Sequence, residues 1–270
     1  MAANAGLEIT RRMTSDRRSS QAFFGVSALI FAVSAALTIV WCGDMSATMP
    51  MPGGWTMSMA WMRMPGQTWL GAAASFLGMW VVMMMGMMLP SVVPVLWRYR
   101  QTVGGSRAGS LTLFVAAGYF FVWTVIGMAA FPVGVALAEI TMKEAVLARA
   151  VPMAVGVVVL ISGALQFSAW KMHHLDHCRE EGGRDTTVAV NAATAWRYGL
   201  RLGLHCSFCC ASFVAILLVI GVMDLRVMAV VTAAITIERL APRGDRAARV
   251  IGSIIVGVGL FLMVQATGLG

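Results

Sequence analysis

A chain of 270 residues with 59% hydrophobic side chains, 12% charged ones and a mean hydropathy of +0.79 has too few polar groups to cover a globule, since soluble domains carry about 25% charged residues. Much of its surface is expected to face a lipid bilayer. The net charge of +8 fits basic cytoplasmic loops better than a nucleic-acid groove, because basic and aromatic residues are nowhere interleaved, and no nucleic-acid partner is expected.

In chain order, residues 1–21 read as a polar, basic cytoplasmic tail. The apolar run Ala22–Cys42 exceeds the roughly 7–15 residues of a signal-peptide core and is expected to remain as a first span. A helix needs about 20 apolar residues to cross a bilayer. The further candidates are Trp69–Leu89, Leu111–Ala138, Pro152–Trp170, Leu204–Val222, Val227–Ile237 and Val250–Gln265. The sixth of the seven is short: it either begins at Met223 or forms a tight hairpin with the fifth through Gly221–Asp224. Backbone groups in lipid must bond within their own helix, so the expected fold is all-α, a polytopic bundle of about seven spans over residues 22–268. No internal repeat supports an inverted-repeat transporter.

Charge sets the expected orientation. Arg11, Arg12, Arg17 and Arg18 precede the first span; Arg98, Arg100 and Arg107 follow the second. Lys171, Arg179, Arg184, Arg197 and Arg201 follow the fourth, and Arg239, Arg243, Arg246 and Arg249 follow the sixth. The opposite loops hold Arg63, then Lys143 and Arg149, then Arg226. With seven spans all the basic loops fall on one side, which places the N-terminus in the cytoplasm and the C-terminus outside.

Four clusters of soft ligands stand out. The outer loop, residues 43–66, holds seven methionines between Met45 and Met64, three times as Met-x-Met. Thioethers are soft, uncharged ligands suited to Cu(I), although methionine also serves as flexible filler. The second span ends Met83-Met84-Met85-Gly86-Met87-Met88-Leu89-Pro90, with Met84 and Met88 on one face. Pro90 and Pro94 are expected to kink or end that helix. The loop 171–203 begins with His173, His174, His177 and Cys178. If the fourth helix continues past Trp170, His173 lies over His177 and His174 over Cys178, the i, i+4 spacing of helical metal sites; such a His/Cys set also suits zinc. The fifth span opens with His205, Cys206, Cys209 and Cys210. Placed at a helix N-terminus on the reducing side, these thiols are expected to bind metal rather than form a disulfide. Glu238 and Arg239 near Pro242 read equally as groups serving a metal site or as a pair snorkelling to the headgroups. Gln166 and Tyr119 are polar candidates for a path between helices. No hydrolase triad, zinc-protease motif or phosphate loop is present, and no catalytic residue is assigned.

The run Met83–Pro90, the segment Gln166…Lys171…Cys178-Arg179, the start Gly203…Cys206…Cys209-Cys210 and Glu238…Pro242 together resemble a widespread bacterial family known as predicted metal-binding integral membrane proteins of unknown function. The resemblance runs from about Trp69 to Pro242, and His173, His174 and His177 stand here where that family commonly has a further cysteine. It implies metal binding without a settled activity.

The expected ligands are therefore Cys178, Cys206, Cys209, Cys210, His173, His174, His177, Met84 and Met88. The expected cargo is Cu(I), with zinc as the other candidate, and a copper chaperone or metalloenzyme client is the expected protein partner. A thiol oxidoreductase using Cys206 and Cys209, or a structural subunit, are the competing readings.

Overall fold

The computed structural model of the chain describes residues 2–44, 48–51, 54–63, 66–105, 107–180 and 191–268, with the side chains of 2–16, 44, 48, 59, 177, 179 and 180 left out. Among the described residues, eight α-helices make up an all-α polytopic bundle: α1 Ala2–Asp44, α2 Trp69–Val103, α3 Ala108–Lys143, α4 Ala145–Leu165, α5 Ala169–Glu180, α6 Ala192–Ile220, α7 Leu225–Leu240 and α8 Gly244–Ala266. Among the described residues, six helices (α1, α2, α3, α4, α6 and α8) are long and apolar enough to cross a membrane. The short candidate of the sequence becomes α7, 16 residues or about 24 Å of helix, against a hydrocarbon core of about 30 Å.

The starts of these helices are written in their caps. The side chains of Thr68, Asn191 and Asp224 accept hydrogen bonds from backbone N–H groups of the first turns of α2, α6 and α7. Two boundaries differ from expectation. Pro90 and Pro94 do not end α2, which runs through both for 35 residues. Proline removes a donor and frees a carbonyl, but inside a packed bundle neighbouring groups absorb that loss. The segment expected as a loop over 171–203 is largely helical: α5 occupies its first part, and α6 begins at Ala192. Cys206 consequently lies near the middle of α6, not at a helix N-terminus.

Small residues set the closest helix pairs. At the α3–α6 crossing, a Cβ on Gly118 would stand 2.6 Å from the Trp196 carbonyl, and one on Gly203 would stand 2.9 Å from the Tyr119 carbonyl. No side chain fits there, so the two backbones touch. That contact fixes Tyr119 beside the α6 turn that follows Gly203.

The Met-rich loop is not featureless. Strands β1 (Thr48–Pro50) and β2 (Thr56–Ser58) pair antiparallel, with Met49 opposite Met57. Met51 and Met57 are buried against Ala138, Trp55 and Trp61. Trp55 Nε1 donates to the Ala148 carbonyl at 2.8 Å, which ties the hairpin to the α3–α4 junction.

The turn between α6 and α7 lies at the same end of the bundle as the end of α1, since Cys42 Sγ is 3.9 Å from Met223 Sδ. Helix α7 then runs back antiparallel to α6 until Arg239 reaches Cys206. At 1.5 Å per residue, Cys206 lies about 22 Å from that turn.

Candidate metal centre

The thiols are brought together by helical spacing. In α6 the buried residues Ala195, Gly199, Leu202, Cys206, Cys209, Cys210 and Phe213 recur every three or four positions and form one inward stripe. In α5 the same rule buries Lys171, Leu175 and Cys178. Packing α5 on α6 sets Cys178 against Cys209, to which it is hydrogen-bonded. Cys206 Sγ lies 4.0 Å from Cys210 Sγ and 3.0 Å from the Tyr119 hydroxyl. All four thiols are free and buried, and Met84 and Met88, each fully buried, belong to the same core.

Three charged side chains share this interior. Lys171 Nζ forms a 2.8 Å ion pair with Glu238 Oε2, donates to the Cys209 carbonyl at 2.6 Å, and lies 4.9 Å from the centre of the Phe213 ring. Burial alone pushes the Lys171 ammonium down, but the Cys209 thiol and the Glu238 carboxylate beside it hold the net shift upward. Arg239 Nη1 donates to Ser91 Oγ at 3.0 Å and to Cys206 Sγ at 3.3 Å. Ser91 Oγ in turn donates to the Met88 carbonyl at 2.9 Å, so Arg239 bridges the methionine helix and the cysteine helix. The Cys178 thiol is held well above its ordinary value, first by its bond to Cys209 and then by burial.

Glu238 and Arg239 are 1% and 7% exposed, so the snorkelling reading fails: the pair points into the bundle. His173 is exposed. His174 packs with Trp170 and Phe208 and lies 6.1 Å, ring centre to ring centre, from His205. The side chain of His177 lies outside the described residues. The fourth helix does not continue past Trp170: α4 stops at Leu165, and the helical spacing of the i, i+4 pairs is supplied by a separate helix, α5. Sequence reading passed over Lys171 and Ser91 as parts of the site. The signal for Lys171 was its place one helical face from Leu175 and Cys178.

The donors present fit a soft ion: four thiols and two thioethers suit Cu(I) far better than a hard cation. Among the described residues, no three His, Cys, Asp or Glu side chains stand ready as an ion cage. The thiols are turned toward one another, Tyr119 and Arg239, and a bound ion would displace those bonds. Cys206 contacts Cys210, and Cys209 interacts with both Cys178 and Cys210, so no contact singles out the Cys206/Cys209 pair of an oxidoreductase motif.

A family model described as "PpoB2: Copper chaperone" matches residues 77–262, more than half of the chain, and so runs from the first third of α2 into the last turns of α8. No curated protein matches, and no solved structure matches.

Proposed function

The chain belongs to the PpoB2 copper-chaperone family, and on that premise we propose that it carries Cu(I) as cargo within a bacterial inner membrane and hands it to a copper protein. The observation that carries this reading is the meeting of four buried thiols from two helices, with a guanidinium against one of them. A buried positive charge beside sulfur suits a sulfur that carries negative charge, and thiolate is the form that binds metal.

The proposed route begins at the hairpin, where Met49 is exposed and Met62 half-buried. It continues to Met84 and Met88 and ends at Cys178, Cys206, Cys209 and Cys210. His173, His174 and His177, which follow one another along α5, serve as ligands for release. Passing from neutral thioether to thiolate raises affinity along the way, so the ion moves downhill without ATP. Tyr119 and Arg239 hold Cys206 in place until the ion replaces their bonds.

Elemental analysis of the detergent-purified full chain tests the proposal, with the wild type compared with a variant carrying serine at the four cysteines. Copper is expected in the wild type and absent from the variant. Equal copper in both, zinc alone, or a metal-free wild type after growth with both metals overturns it. In cells, Cys206→Ser is expected to lower the activity of a client copper enzyme.

A further inference from the structure

We infer that Arg239 sets the ion preference of this centre, favouring a monovalent soft ion over a divalent one. The inference rests on the copper-handling reading and adds the residue that decides selectivity.

The fixed charges of the core do not cancel. Lys171 and Glu238 neutralise each other across 2.8 Å. Arg239 remains: among the described residues no carboxylate lies within ion-pair distance of it, and its polar contacts are the Ser91 hydroxyl and the Cys206 thiol. Its Nη2 is buried and has no hydrogen-bond partner among the described residues. One positive charge with no carboxylate partner among the described residues is thus pinned 3.3 Å from a candidate ligand sulfur, in an interior where water cannot screen it.

For a fixed set of sulfur donors, the electrostatic work of bringing in a cation scales with the charge of that cation. Cu(I) meets the guanidinium once, and Zn(II) meets it twice over. With two thiolates, Cu(I) leaves the ion–sulfur unit at −1, which Arg239 neutralises; Zn(II) leaves the unit neutral and Arg239 stranded as a buried charge. The serine fixes the guanidinium against α2, so it cannot swing away without losing that bond. The rule that favours burying paired charges therefore becomes a filter on ion valence.

The test measures Cu(I) and Zn(II) dissociation constants of the detergent-purified full chain, by competition with a Cu(I)-specific and a Zn(II)-specific chelator. Arg239→Gln is expected to shift the affinity ratio toward Zn(II) by at least about 10-fold, the effect of removing one unit charge a few ångströms away. Arg239→Lys keeps the charge and is expected to stay within about 3-fold of the wild-type ratio, a residual smaller than any full-charge effect. Ser91→Asp retains Arg239 and sets a carboxylate beside it. It is expected to move the ratio in the same direction as Arg239→Gln, and it decides the matter if the glutamine variant does not fold. A wild type that binds Cu(I) while Arg239→Gln and Ser91→Asp both keep its ratio overturns the role of Arg239 alone. A wild type that binds no Cu(I) overturns the copper reading with it.

Discussion

The hairpin and the thiol core are both rich in sulfur, yet their surroundings differ. Met51 and Met57 pack on the apolar side chains of Ala138, Trp55 and Trp61. The thiols of α5 and α6 lie among Lys171, Glu238, Arg239 and Tyr119. Thioethers in the first setting satisfy packing, and apolar neighbours ask nothing further of them. In the second setting each buried charge needs a partner, so the side chains are locked by bonds as well as by shape. A methionine count alone does not separate these cases; the company each sulfur keeps does.

The sharpest way to break the contrast is to unpair the core. Lys171→Met leaves the Glu238 carboxylate buried without its ammonium, and should cost about 3–5 kcal/mol of stability. Thermal unfolding in detergent measures it, and Lys171→Met combined with Glu238→Gln should recover most of the loss. The pH dependence has a definite sign. Because Lys171 is shifted upward on folding, its own share of the pair's stability should be present below the ordinary lysine value of 10.5 and be lost as pH rises through the raised value, while protonation of Glu238 at about 7 removes the pair on the acid side. The Lys171→Met variant should lack that part of the high-pH decline.

Next in size, Gly118→Ala forces a methyl onto the Trp196 carbonyl and should cost about 1–3 kcal/mol by overpacking. It should also weaken Cu(I) binding, because separating α3 from α6 draws Tyr119 away from Cys206. An unchanged Cu(I) affinity in a destabilised variant would show that Tyr119 is not needed there. Met88→Leu keeps the volume and removes the thioether; a loss of about 10-fold in Cu(I) affinity is expected, in the range found for groups that support metal ligands. Met57→Leu should do least, with stability changed by less than about 1.5 kcal/mol as for other volume-conserving swaps and no change in Cu(I) affinity. A large loss there would erase the distinction between the two regions.

The helices were legible because long apolar runs and few charges admit little else, and the all-α bundle follows from that. The match to a copper-chaperone family supports the copper expectation in its general form. The polar stretch before Gly203 hid the first turns of α6, since Arg197 and Arg201 drew the eye to hydropathy. The inward spacing of Ala195, Gly199 and Leu202 carried the helix through them. The two prolines of α2 misled for a related reason: a local rule about proline yields to tertiary packing. The i, i+4 sulfur and imidazole pairs could be read from numbering alone. The ion pair of Lys171 with Glu238 and the contact of Arg239 with Cys206 could not, because each joins helices whose alignment depends on the whole bundle. The hairpin escaped notice because two three-residue strands leave almost no periodicity to detect.

The return of α7 has a consequence for how the chain can vary. Its first turn is fixed by the Asp224 cap and its far end by Glu238 and Arg239, so the helix acts as a ruler between two anchored points. One inserted residue would rotate everything beyond it by about 100° and lengthen the helix by about 1.5 Å. Both charges would then swing off their partners together. Side chains along the exposed stretch of α7 are free to drift, whereas the number of residues in it is not.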